Sequence, residues 1–185
     1  MSTNLRLSSF SGVLLAAYFI PTWTLIAFRM MVSPIHSFYE QQNIAVAFFV
    51  SDYLHLAATG TVRAAWLLAL GRLTAVAFFT IFLVLLSRPS LRRTGSADEA
   101  LGIALAIGSL ISFAGMMMAS QVGETAARQL HATELLMLLG TAIVLLVERP
   151  AQQQADQNAA RRNVARQDVA NDVSGLEQPQ LLNNG

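Results

Sequence analysis

Four apolar runs constrain this chain more than anything else in it. Residues 7–31, 64–86, 100–118 and 130–147 are nearly free of charge, and each is close to the about 20 residues that cross the hydrocarbon core of a bilayer. Composition points the same way. Of 185 residues, 54% are hydrophobic and 12% charged, about half the charge of an ordinary soluble domain. The predicted fold class is therefore an all-α integral membrane protein of about four transmembrane helices, occupying residues 1–150.

The ends of the runs read as helix ends. Ser87-Arg88-Pro89 closes the second and Glu148-Arg149-Pro150 the fourth, each joining charge to a residue that breaks helices. Arg6 followed by the run from Phe10 to Ile20 has the layout of a signal peptide. The apolar stretch continues past Pro21 and Trp23 to Phe28 without a small-x-small cleavage pattern, so it reads as a retained signal-anchor helix. Pro21 suggests a kink in that helix, with Thr22 and Thr24 able to satisfy the freed backbone. Trp66 fits an interfacial anchor.

Between the first two runs, residues 43–58 are apolar but short, and they contain Asp52 and His55. That length predicts a re-entrant or interfacial helix, broken before the next span by Thr59-Gly60-Thr61. From Ala151 the sequence turns to Gln, Asn, Ala and scattered charge. It lacks the apolar surface to fold alone and predicts a flexible polar cytoplasmic tail over 151–185.

Arginine placement sets the orientation. Arg88, Arg92 and Arg93 follow the second run, and Arg149, Arg161, Arg162 and Arg166 follow the fourth. Two spans separate these groups, which puts both on the cytoplasmic side, together with both termini in a four-span chain. A crossing by residues 43–58 would instead make five spans and an external N-terminus. The expected location is a multi-pass position in a bacterial inner membrane.

The four-span topology gathers His36, His55 and His131 on the outer side or in the outer half, with Glu40, Asp52, Arg63, Glu124, Arg128 and Glu134. Asp52/His55 and His131/Glu134 are each three apart, so each pair shares a helical face. A carboxylate beside an imidazole orients it and raises its basicity. Asp52, His55, His131 and Glu134 together form the candidate polar or metal site. Two such pairs meeting would suit zinc, iron or manganese, and two facing histidines a haem, although no cofactor is assigned. Hydrogen-bonded residues at helix ends near the headgroups are the plainer reading, and a proton relay is a third.

Arg72 interrupts the second run. Nine residues from Arg63 place it about 13 Å deeper, too deep to reach the nearer surface comfortably. It predicts an ion pair within the membrane with Asp52 or Glu134. In the third run Ala104, Gly108 and Ser112 stand four apart, and Gly115, Ala119 and Gly123 make a second row. Such rows let helix backbones approach closely, within one chain or between chains.

A net charge of +1 gives no electrostatic case for nucleic acid. With no cysteine, the chain carries no disulfide, thiolate metal site or cysteine nucleophile. It shows no Walker loop, dinucleotide fingerprint or hydrolase elbow. These features fit a non-enzymatic accessory, assembly or sensing component with an outward-facing polar site, in contact with lipid and with a membrane partner or further copies of itself. A small oligomeric transporter or proton-coupled channel is the second reading, and a metal- or haem-dependent membrane redox protein the third.

Overall fold

The computed structural model describes residues 7–88 and 96–176. Arg6, Pro89, Arg92, Arg93 and residues 177–185 of the tail lie outside these. Among the described residues every regular element is a helix, and four helices are long and apolar enough to cross a membrane: Leu7–Val32, Ala58–Ser87, Ser96–Val122 and Thr125–Glu148. The chain forms two units that divide after Leu145.

In the first unit, α1 (Leu7–Val32) runs uninterrupted through Pro21. α2 (Pro34–Phe38) begins on a proline, where the missing N–H has no helical partner to lose. The expected helix over 43–58 is shorter. α3 (Ile44–Phe48) passes into one π-helical turn over Phe49–Tyr53, and His55 then takes a positive φ of 46°. That left-handed residue, which histidine tolerates better than most, ends the helix before His55 can share a face with Asp52. α4 (Ala58–Ser87) starts earlier than its apolar run suggests, because Gly60 falls in the first turn and does not break it. Its amide bonds the Ala57 carbonyl at 2.8 Å.

α5 (Ser96–Val122) and α6 (Thr125–Leu176) are joined by Gly123 and Glu124 alone. Gly123 has φ 77°, and the Glu124 amide reaches back to the Ala119 carbonyl at 3.0 Å. This is the left-handed helix cap that glycine supplies. Gly123 is therefore a cap and stands apart from the packing row of Gly115 and Ala119. In the second unit the backbone is helical through Leu176, beyond the stop expected at Pro150. Alanine, glutamine and arginine favour that conformation, and the described side chains from Gln154 to Gln167 are exposed.

Each long helix of the first unit buries one stripe at three- and four-residue spacing. The stripes are Ala16, Phe19, Trp23, Ala27 and Met30 on α1, and Ala65, Ala69, Arg72, Val76 and Phe79 on α4. On α5 they are Ala104, Gly108, Ser112, Gly115 and Ala119, and on α6 Ala127, His131, Glu134, Leu138 and Leu145. Phe19 stacks on Phe79 with centroids 5.8 Å apart, and Trp23 packs edge-on to Phe19 at 4.8 Å. Around Met30 a second apolar cluster gathers Phe38, Val46, Val50 and Ala69.

Glycine marks the tightest approach of α1. A Cβ on Gly12 would lie 2.9 Å from both Leu101 Cδ2 and Phe82 Cζ, whose residues are fully buried. Gly12→Val should lower stability by about 1–3 kcal/mol through overpacking. Gly140→Val, with nothing within 4 Å of its Cβ position, should change it by less than about 0.5 kcal/mol beyond the loss of glycine's own helix penalty. Thermal unfolding of both variants in mild detergent checks the contrast.

Candidate functional site: a buried charged cluster

The polar positions on the four stripes meet inside the bundle. Arg72, His131 and Glu134 are 3%, 2% and 6% exposed, Asn43 and Ser112 0% and Trp23 1%. Burying ionic groups this deeply is costly unless their hydrogen bonds are met, so each partner matters.

Glu134 is met by three donors. Trp23 Nε1–H reaches Oε1 at 3.4 Å, and the Ser112 hydroxyl reaches Oε2 at 3.2 Å. His131 Nδ1 lies 3.1 Å from the same Oε2. Helical spacing of three brings His131 and Glu134 together on α6, as the sequence pattern requires. A carboxylate only accepts, so the Nδ1 proton points at Glu134 and Nε2 is left to look elsewhere.

Arg72 is met differently. Its Nη1 donates to Asn43 Oδ1 at 2.7 Å and lies 3.9 Å from Met30 Sδ. Its Cζ stands 5.9 Å from the centre of the Trp23 ring, within range of a cation–π interaction. Asn43 Nδ2 donates to the Ser37 carbonyl at 3.0 Å. That bond fixes the amide so that its oxygen faces the guanidinium. No direct ion pair joins Arg72 to Glu134 among the described residues. Trp23 touches both, offering its face to the cation and its N–H to the anion, and the two charges still act on each other electrostatically.

Among the described residues, Arg72 Nε and His131 Nε2 find no hydrogen-bond partner. Both residues line one cavity of about 160 Å3, whose remaining wall is apolar apart from backbone. Gly115 makes room there for the imidazole. A Cβ at Gly115 would stand 2.8 Å from His131 Nε2 and Cδ2.

Of the sequence candidates, the structure brings together Arg72, His131 and Glu134 and leaves Asp52 and His55 apart. Asp52 is exposed and takes a hydrogen bond from the Ser51 hydroxyl, and His55 is exposed in the turn after the π-helical segment. The four residues expected as one site do not converge, and among the described residues no three His, Asp or Glu side chains gather as a metal cluster. His36 is exposed too, and Glu40 pairs at 3.6 Å with Arg29. The row of Ala104, Gly108 and Ser112 packs inside the chain, since a Cβ on Gly108 would touch Leu138 of α6 and Trp23 of α1.

Asn43 and Trp23 are the residues that sequence reasoning missed as partners. Trp23 carried a signal, because it shares the α1 stripe with Phe19 and Met30. Asn43 carried none, since its role depends on how the short helices fold back. No protein-family model matches this chain, and no curated protein or solved structure matches it significantly.

Asn43→Leu should strip the direct hydrogen bond from a fully buried cation. The expected loss is about 1.5–3 kcal/mol, against less than about 0.5 kcal/mol for exposed Gln41→Leu. Equal unfolding midpoints for the two variants would show that Arg72 does not depend on Asn43.

Proposed function

We propose that this chain is a four-span membrane protein, a non-enzymatic accessory or sensing component whose responsive element is the Arg72–Trp23–Glu134–His131 cluster. One observation carries the reading: the first unit turns many large apolar side chains outward and encloses a charged cluster in its apolar core. Leu67, Leu70, Leu110, Leu136 and Ile143 are 70%, 61%, 68%, 73% and 61% exposed, while the charged groups of the cluster are sealed within. A soluble protein distributes these groups the other way round, and surrounding lipid removes the penalty for the outer leucines. Ionisable groups within such helices face the bundle interior and pair with one another.

Burial also favours sensing over catalysis. A catalytic group must reach its substrate, whereas a cluster held at every corner by α1, α4, α5 and α6 transmits a change in charge to all four helices. A small transporter remains a second reading on one observation, the cavity beside Arg72. Solute-driven ion flux in liposomes separates the two.

Both termini belong on the cytoplasmic side, from the arginines after the second and fourth spans. A reporter active only outside the cytoplasm should be silent when fused after Gly185 and active when inserted near Gln41. Silence at Gln41 with activity at Gly185 would reverse the orientation. Recovery of the whole chain in the soluble fraction would reject membrane insertion.

A further inference from the structure

Away from the charged cluster, the first turns of α4 carry a second graded face. Arg63, Trp66, Leu70 and Leu73 stand three, four and three apart, so they share one side of the helix. With Leu67 and with Met31 from the end of α1 they line an open groove of about 620 Å3, apolar apart from Arg63 and the Trp66 indole N–H. A smaller recess of about 370 Å3 lies toward the start of α4, with Thr59 and Ile35 in its wall. Arg63 and Val62 line both spaces, so groove and recess adjoin at the arginine. Arg29, at the same end of α1, is paired with Glu40 at 3.6 Å. Arg63 is exposed and makes no ion pair among the described residues.

Length and charge together select an occupant. The ten residues from Arg63 to Leu73 span about 15 Å of helix, half of the about 30 Å hydrocarbon core of a bilayer. The groove therefore runs the depth of one leaflet, with its only charge at the shallow end. Its volume holds roughly twenty water-sized groups, enough for one acyl chain. An arginine free of carboxylates is a bidentate partner for a phosphate. Thr59, one turn earlier on the same side of α4, adds a hydroxyl able to donate to a headgroup. Trp66 stands one turn deeper, at the level where indole rings favour the boundary between headgroup and chain. An apolar helix face of a second copy would fill the groove and leave Arg63 covered without a countercharge, which is costly.

We propose that this groove holds one anionic phospholipid, with an acyl chain against Met31, Leu70 and Leu73 and the phosphate on Arg63. The inference rests on the membrane reading above and goes beyond the buried cluster, since it gives the flank formed by α1 and α4 a preference among lipids.

Native mass spectrometry of the full chain in mild detergent tests this, with dioleoyl phosphatidylglycerol and dioleoyl phosphatidylcholine as competing probes of equal chain length. One retained phosphatidylglycerol, preferred about tenfold over phosphatidylcholine, is expected. Arg63→Gln should remove the preference. Met31→Trp, which fills the groove from α1 and leaves the arginine in place, should weaken retention of both lipids. Arg128→Gln, an exposed arginine on α6, should change neither. All three positions are exposed, so thermal unfolding should show each variant folded. No preference for phosphatidylglycerol, a preference that survives Arg63→Gln, or an equal loss in Arg128→Gln would each overturn the proposal. Displacement of the lipid by millimolar inorganic phosphate would show that the acyl chain contributes nothing, and would overturn it too. A dimer that Met31→Trp dissociates would assign the groove to a second copy instead. A chain that inserts with the expected topology but shows no lipid preference rejects this inference alone, whereas recovery in the soluble fraction rejects the membrane reading and this inference with it.

Discussion

A guanidinium with almost no access to solvent is the constraint on which the rest of this structure depends. Burying a charged group is costly unless its hydrogen bonds are met, and the α4 stripe turns Arg72 inward, where water cannot relieve it. The surrounding residues are consistent with that demand. Asn43, held by the Ser37 carbonyl, supplies the neutral acceptor. Trp23 supplies a ring face, and Glu134 supplies the countercharge at one remove. Each comes from a different segment, so compensating one charge also joins α1, α4, α6 and the short helices. An ion pair alone would tie two helices; this arrangement ties the whole first unit.

Close packing makes that possible. Under the membrane reading proposed above, lipid offers helices no hydrophobic reason to associate, so association rests on contact between surfaces. Gly108 and Gly115 let α6 approach α5 until Leu138 and His131 fill the space a Cβ would take. The same approach brings the Ser112 hydroxyl within reach of Glu134. Small residues and charged residues thus belong to one design: the first shorten the distances at which the second become tolerable.

Much of this was legible in the sequence. The four long helices follow from their apolar runs, and the charge within the second run called for partners, which Arg72 finds inside the bundle. His131 and Glu134 were paired by spacing alone, and Glu134 was one of two carboxylates expected near Arg72. The errors have a common physical origin. Periodicity assumes a regular helix, so Asp52 and His55 were placed on one face across a π-helical turn and a left-handed residue that interrupt it. Gly123 fitted a four-residue row and is a cap. Asn43 became a partner only through tertiary folding of two five-residue helices, which no local pattern encodes.

The central claim is that Arg72 and Glu134 are energetically coupled although they do not touch. A double-mutant cycle of Arg72→Leu with Glu134→Gln, read by thermal unfolding in detergent, tests it most directly. Each single change leaves a buried charge without its counterpart, and such losses reach about 3–5 kcal/mol. Removing both should cost less than the sum of the two, with a coupling energy of about 1–3 kcal/mol. Effects that add within error would mean that Asn43 and Trp23 alone sustain the arginine, and would contradict the account.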